Sequence, residues 1–251
     1  MQPLLSEFNR ESLPVASLNQ QSASISAERR DTTRIPALPR IGRGKARGKN
    51  MRRRLSDRPA KRVFDLTVAA ALIVLFAPLM AVIALLIRLD SRGPVFFRQN
   101  RTGLRGRPFA IIKFRSMAVL ENGESIVQAT KDDSRTTRVG RILRKTSLDE
   151  LPQLFNVLMG EMSLVGPRPH AIAHDRHYAA LIDNYDIRQR VKPGITGWAQ
   201  VNGFRGATPT LELMQARIRH DVWYAQRSGI ALDLRILLAT PFAILGQRNA
   251  Y

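Results

Sequence analysis

The stretch Leu66–Ile87 runs for 22 residues without a charged side chain, enough to cross the hydrocarbon core of a bilayer as a helix. Pro78 stands near its middle, where it removes a backbone donor and tends to kink a helix. The two ends carry the same sign of charge. The basic stretch Arg52–Arg62 precedes the run, and Arg88, Arg92, Arg98, Arg101, Arg105 and Arg107 follow it. A spanning helix is expected to keep its basic excess on one side of the membrane. A helix bent at Pro78 that enters and leaves by one face satisfies both ends. One ordinary transmembrane helix is the competing reading.

The whole chain shares this surplus, with 40 Lys+Arg against 20 Asp+Glu in 251 residues. Such a charge attracts polyanions, whether nucleic acid, an anionic membrane surface or phosphate-rich small molecules. Residues 1–60 are rich in Ser, Arg, Gln and Pro and lack a sustained apolar period, so they read as a basic, disordered tail. From Arg40 to Arg62 there are eleven Lys/Arg and one acid, Asp57. That position, just ahead of an apolar run, favours contact with anionic lipid headgroups. Residues 1–25 show no basic start followed by an apolar core, so no secretory signal is expected. The absence of cysteine excludes disulfides, thiolate metal sites and thiol catalysis.

Residues 94–118 hold two β-prone runs split by a Gly-rich turn, which predicts a hairpin. Residues 121–137 are polar and loop-like. Residues 138–160 are helical in part, and 170–190 and 208–227 have helical periodicity. Residues 230–245 are mostly apolar but contain Asp233, Arg235 and Pro241, which suits a buried or interfacial helix. The fold class expected is α+β and helix-dominated. Its parts are a re-entrant membrane helix over 61–92, a small β-hairpin and interfacial amphipathic helices.

The densest chemistry lies in Arg144-Lys-Thr-Ser-Leu-Asp-Glu-Leu-Pro-Gln-Leu-Phe-Asn156. Ser147 and Glu150 have capping-box spacing, a sufficient structural reason for Glu150. Pro152 opposes it, and the alternative is a helix that begins near Pro152 with the acids just ahead. Either way Asp149 and Glu150 adjoin a helix start, which favours ionised carboxylates. An ionised Asp can attack phosphorus, and a neighbouring Glu can hold a metal ion or move a proton. Lys113, Arg115, Arg144 and Arg168 are candidate phosphate-binding cations. Arg168, between two prolines, sits on a stiff backbone that can aim its fork. Together they form the inventory of phosphoryl transfer: fixed positive groups, a metal and an aligned nucleophile. His170, His174 and His177 are read as a polar helix face ahead of a zinc site. The turn-rich segment Lys192–Gly206 offers Gln200, Asn202 and Arg205 to a sugar or base, with a purely structural turn as the alternative.

These residues resemble the bacterial sugar transferase family, the small monotopic polyprenyl-phosphate phosphoglycosyl transferases. The resemblance rests on Lys61-Arg-Val-Phe-Asp65, Phe97-Arg-Gln-Asn-Arg101, Lys113-Phe-Arg-Ser-Met117, Ser147–Asn156, Gly160–Pro169 and Val191–Gly203, in order over about Lys61 to Leu245. It implies a re-entrant helix broken at a proline, with a catalytic domain over 93–251 at the cytoplasmic face of the bacterial inner membrane. Where the family often has Ser before that proline, this chain has Ala77. The family's catalytic Asp-Glu pair falls on Asp149 and Glu150, with Mg²⁺ near Glu150, and its phosphate-contacting cations fall on Lys113, Arg144 and Arg168. The implied reaction is ping-pong: Asp149 attacks the sugar-bearing phosphorus, UMP leaves, and polyprenyl phosphate takes the phosphosugar. Pro169–His174 and Gln200–Arg205 look like members that transfer glucose 1-phosphate from UDP-glucose to undecaprenyl phosphate in exopolysaccharide or capsule synthesis, with UDP-galactose users close behind. The partners expected are therefore a UDP-sugar, undecaprenyl phosphate, anionic lipid and a second copy of the chain.

Two other classes compete. A nucleic-acid-binding protein with a membrane anchor would explain the charge, but no groove-reading or base-stacking motif is present and aromatic residues are sparse. A non-catalytic scaffold of a polysaccharide complex would not need the intact Asp149-Glu150 pair and its cations.

Overall fold

A run of apolar helix formers with no turn signal makes the first and longest element. In the computed structural model, which describes residues 58–118, 133–206 and 208–246, helix α1 spans Arg58–Asp90 with Pro78 inside it. It is long and apolar enough to cross a membrane. Val74, Leu75, Leu79, Val82, Leu85, Leu86 and Leu89 are exposed along it, whereas Ala69, Met80, Ile83 and Ile87 are buried. Of the tail expected over residues 1–60, residues 1–57 lie outside the described residues, as does most of the expected loop, and residues 58–60 instead form the start of α1.

Both ends of α1 are tied to the folded body that follows. Near its start, the Arg62 guanidinium donates to the carbonyls of Val157 (2.6 Å) and Leu158 (2.9 Å), and Lys61 Nζ donates to Asp233 at 2.6 Å. Asp65 accepts from the Leu164 amide at 3.2 Å. Near its end, Asp90 accepts from the Val139 amide at 3.1 Å. The buried Arg115 donates to the carbonyls of Ser91 and Arg92, each at 2.6 Å. The helix lies along the body, and its outward face is left apolar.

The hairpin forms as expected. Strands β1 (Phe96–Thr102) and β2 (Pro108–Phe114) pair antiparallel in the register Phe96↔Phe114 to Thr102↔Pro108. Helix α2 (Arg138–Thr146) starts at Thr137, whose hydroxyl accepts from the Gly140 amide at 3.0 Å. Then come α3 (Gln153–Met159), β3 (Ser163–Val165), α4 (Ile172–Leu181), β4 (Gly194–Thr196), the single turn α5 (Trp198–Val201), α6 (Leu211–Arg227) and α7 (Ile230–Gly246). Strands β3 and β4 are a short parallel pair that no sequence signal announced. Gly166 and Gly194 permit it. A Cβ on Gly194 would lie 2.0 Å from the Gly166 nitrogen.

The main core joins α1, β2, α3, β3, α6 and α7 through residues such as Ala69, Ile111, Val157, Leu164, Tyr224 and Ile236. A second core sets Met80, Ile83 and Ile87 against Phe114 and Leu143. Of the helices expected at an interface, α7 presents Leu234, Leu238 and Phe242 outward. α6 instead turns inward along most of its length, since Arg217, His220 and Asp221 are buried with it.

Candidate active site

The acid pair sits on the link between α2 and α3. α2 stops at Ser147, whose φ of 59° is left-handed. One 3₁₀ turn, Leu148–Glu150, follows, and α3 begins after Pro152. The capping box does not form. The Ser147 side chain caps no backbone amide, and its hydroxyl instead accepts from Arg205. Pro152 offers no N–H inside a first turn, so the helix starts beyond it and leaves both acids ahead. Asn156 fixes this link against the hairpin. Its side chain accepts from the Ile112 amide at 2.9 Å and donates to the Ala110 carbonyl at 2.8 Å, filling the open edge of β2. Lys113, the next residue on β2, is thereby set beside the acids.

Glu150 is gripped from two sides. Lys113 Nζ lies 2.7 Å from its Oε1, and Arg168 forms a fork to it at 2.6 and 3.1 Å. Burial pushes the Glu150 carboxyl up, but Arg168 and Lys113 together outweigh it and hold it well below the usual carboxylate range. Asp149 is different. Burial, the largest effect on it, raises its carboxyl to about 6; Lys113 opposes the rise and the Glu150 charge adds to it. Among the described residues, no group hydrogen-bonds the Asp149 carboxylate, so its lone pairs remain available. Adjacent carboxyls with opposite shifts are how a site assigns one to chemistry and one to charge balance.

The other expected residues divide. Arg144 borders the pair, and its guanidinium meets Met117 Sδ at 3.4 Å. Arg205 reaches Ser147 and, with Gln200, lines a cavity that ends at Glu150. Gln200 is also bonded within its own loop, donating to the Ile195 carbonyl at 3.1 Å. Asn202 closes the α5 turn on the Trp198 carbonyl at 2.7 Å and does not line the cavity. Arg115 is not with the acids. It is spent on the Ser91 and Arg92 carbonyls just past the end of α1, where Gly93 (φ 124°) makes room; a Cβ there would lie 2.0 Å from Arg115 Nη1. Alternation along a strand would put Lys113 and Arg115 on one face, but β2 ends at Phe114, and Arg115 turns to the segment that follows α1. Arg115→Ala is expected to cost about 2–4 kcal/mol of stability through lost charged hydrogen bonds. The check is denaturant melting. His170 is buried against Tyr185 at 2.7 Å and precedes α4, while His174 and His177 sit on α4 beside Tyr178.

The cavity has a volume of ≈ 280 Å³. Leu72 and Phe76 of α1 and Leu237, Ala243 and Ile244 of α7 form apolar walls, and Ser147, Glu150 and Arg205 stand at one end. A membrane-length helix, an apolar cavity beside it and a buried Asp with Lys113, Arg168 and Arg144 near it are parts that phosphoryl chemistry at a membrane surface would need. The chain belongs to the bacterial sugar transferase family, whose model matches residues 56–247. It is similar to the UDP-glucose:undecaprenyl-phosphate glucose-1-phosphate transferase of Klebsiella pneumoniae, 51% identical over 191 residues, 76% of this chain and 41% of the relative. The proteins of the same name in Xanthomonas campestris pv. campestris and Caulobacter vibrioides are each 54% identical. They align over 193 and 191 residues, 76% of this chain in both cases, and over 40% and 72% of the relative. The chain thus spans about two fifths of the length of the Klebsiella and Xanthomonas relatives.

Proposed function

We propose that this chain transfers glucose 1-phosphate from UDP-glucose to undecaprenyl phosphate, releasing UMP, as the priming step of exopolysaccharide or capsule synthesis. The observation that carries it is the Asp149-Glu150 pair, one carboxyl without a hydrogen-bonding partner among the described residues and the other gripped by Lys113 and Arg168. The names of the relatives favour glucose over galactose and catalysis over a scaffold.

In the reaction, an Asp149 carboxylate oxygen attacks the sugar-bearing phosphorus. The bond from that phosphorus to the bridging oxygen breaks, and its electron pair leaves with UMP. A phosphate oxygen of the lipid then attacks the same phosphorus and returns Asp149 as carboxylate. Arg168 and Lys113 would spread the charge of the diphosphate, with Arg144 and Arg205 also close to the pair. Among the described residues no three acids or histidines cluster. Two carboxylates completed by substrate phosphates and water suit Mg²⁺, which rarely uses an all-protein cage. A carboxylate has about four lone-pair sites; the three bonds to Lys113 and Arg168 leave Glu150 Oε2 one for an ion. Mg²⁺ bound there would neutralise charge developing on the diphosphate.

The apolar cavity between α1 and α7 would take the first isoprene units of the lipid, with its phosphate at the Arg205 end. α1 is proposed to enter and leave by the cytoplasmic face of the inner membrane, bent at Pro78. Polar bonds from both of its ends to one folded body support that reading over a spanning one.

The test is UMP release by detergent-purified protein with UDP-glucose and Mg²⁺. A burst of about one UMP per protein is expected without lipid, and continuous turnover with undecaprenyl phosphate. Chelation should stop both. Ala243→Trp should spare the burst and raise KM for the lipid about tenfold. Silence with UDP-glucose and turnover with UDP-galactose would overturn the sugar; silence with both would favour the scaffold.

A further inference from the structure

The loop that carries Arg168 is held at every carbonyl from Pro167 to His170. The Gly194 amide donates to Pro167 at 3.0 Å, and the Thr102 amide donates to His170 at 3.2 Å. Arg101 Nη1 reaches the Pro169 carbonyl at 3.4 Å. The Arg168 carbonyl itself accepts from Arg188 Nη2. Backbone torsions in this loop are already narrowed, because Pro169 restricts Arg168 and Pro167 fixes its own φ. The freedom left is displacement of the loop as a unit, and these four bonds oppose it.

Arg188 is buried at 3% exposure, and burying it is expensive. Asp221 meets its Nε at 3.0 Å and Asp175 meets its Nη1 at 3.3 Å. Tyr185 donates to the same Asp175 oxygen, and its ring lies 5.3 Å from the Arg188 guanidinium carbon. Buried ion networks are weak sources of stability compared with apolar packing. Here the network aims a rigid fork at the one carbonyl next to the Arg168 side chain, which in turn forks onto Glu150.

We propose that Arg188, braced by Asp175 and Asp221, is a positioning residue that sets Arg168 for phosphoryl transfer. It touches neither substrate nor the acid pair and acts through the Arg168 backbone. Displacing a catalytic group by about 1 Å can cost about a hundredfold in rate. The proposal rests on the transferase reading, and its test separates the two.

Arg188→Lys keeps the charge and loses the fork. Asp221→Asn, a milder change, loosens the brace in case Arg188→Lys folds poorly. Each is made in the full chain, alone and with Arg168→Ala, and UMP release is normalised to folded protein. We expect kcat to fall about 30–100-fold with KM for UDP-glucose within about threefold. In the Arg168→Ala background the same changes should lower kcat by less than about threefold, because the group being positioned is gone. Amide exchange at Thr102 and Gly194, which donate to this loop, and at Gly166, which leads into it and donates to Thr196, should quicken at least about tenfold while Val157 is unchanged. An unchanged kcat, equal losses in both backgrounds, or unaltered exchange at the three amides would overturn the proposal. If the wild type released no UMP from any donor, the transferase reading would fall. Exchange would still decide whether Arg188 holds the loop.

Discussion

Asp149→Asn is expected to remove at least about 99.9% of UMP release, because the amide cannot form the acyl-phosphate bond. The same variant is expected to melt higher than the wild type at pH 8. The fold raises the Asp149 carboxyl from 3.8 to about 6, chiefly by burying it. The folded state therefore prefers the proton more than the unfolded chain does. Its penalty for ionising Asp149 develops between about pH 4 and pH 6 and is constant above that. Asn mimics the protonated acid in shape and carries no such penalty. Each tenfold change in proton affinity is worth about 1.4 kcal/mol. A gain of about 1–3 kcal/mol at pH 8 should therefore shrink toward zero near pH 4. Wild-type rates in the donor half-reaction should fall as the pH drops through about 6, since the nucleophile is then protonated. Calorimetry of both proteins at the two pH values checks the first expectation, and a stopped-flow pH series checks the second. Loss of activity with no stability gain would mean that the carboxylate is solvated in the fold.

Glu150→Gln should have the opposite thermodynamic sign. Gln cannot neutralise Lys113 and Arg168, which meet on Glu150 at 2.7 and 2.6 Å. Leaving two partly buried cations without their common anion costs about 3–5 kcal/mol. The two cations then act on Asp149 without a competing negative charge. Its carboxyl should drop, so the acidic limb of the remaining activity should move below that of the wild type. The rate itself should fall about a hundredfold, because Arg168 loses the group that orders it. Melting curves and the pH profile of burst UMP release read both effects. A variant as stable as the wild type would show that Lys113 and Arg168 find other partners.

The contrast between the two acids shows what a sequence can and cannot carry. That Asp149 and Glu150 stand ahead of a helix was legible, because Pro152 rules out an ordinary first turn from Ser147. Their division of labour was not. It depends on β2 placing Lys113, and on the Gly166–His170 loop placing Arg168, so that both hydrogen-bond Glu150 and neither hydrogen-bonds Asp149. Arg115 is the clearest difference. By residue type it matched the phosphate-binding cations, yet it lies two positions from Lys113 in the chain and meets the end of α1 instead. Arg188 and Asn156 carried no local signal of their roles, because each acts on a segment more than fifteen residues away in sequence.

What the sequence by itself determined is local. The uncharged run from Leu66 to Ile87 could only become an apolar helix, since hydropathy and period act over adjacent turns. The hairpin over 96–114 followed from β-prone runs around glycines, and the start of α3 followed from one proline. The tertiary structure alone decided the long-range facts. Both ends of α1 are bonded to one body, α6 faces inward with Asp221 paired to Arg188, and a cavity joins α1 and α7 to Glu150. Buried ions are tolerable only where partners arrive from distant segments, and those meetings are set by packing.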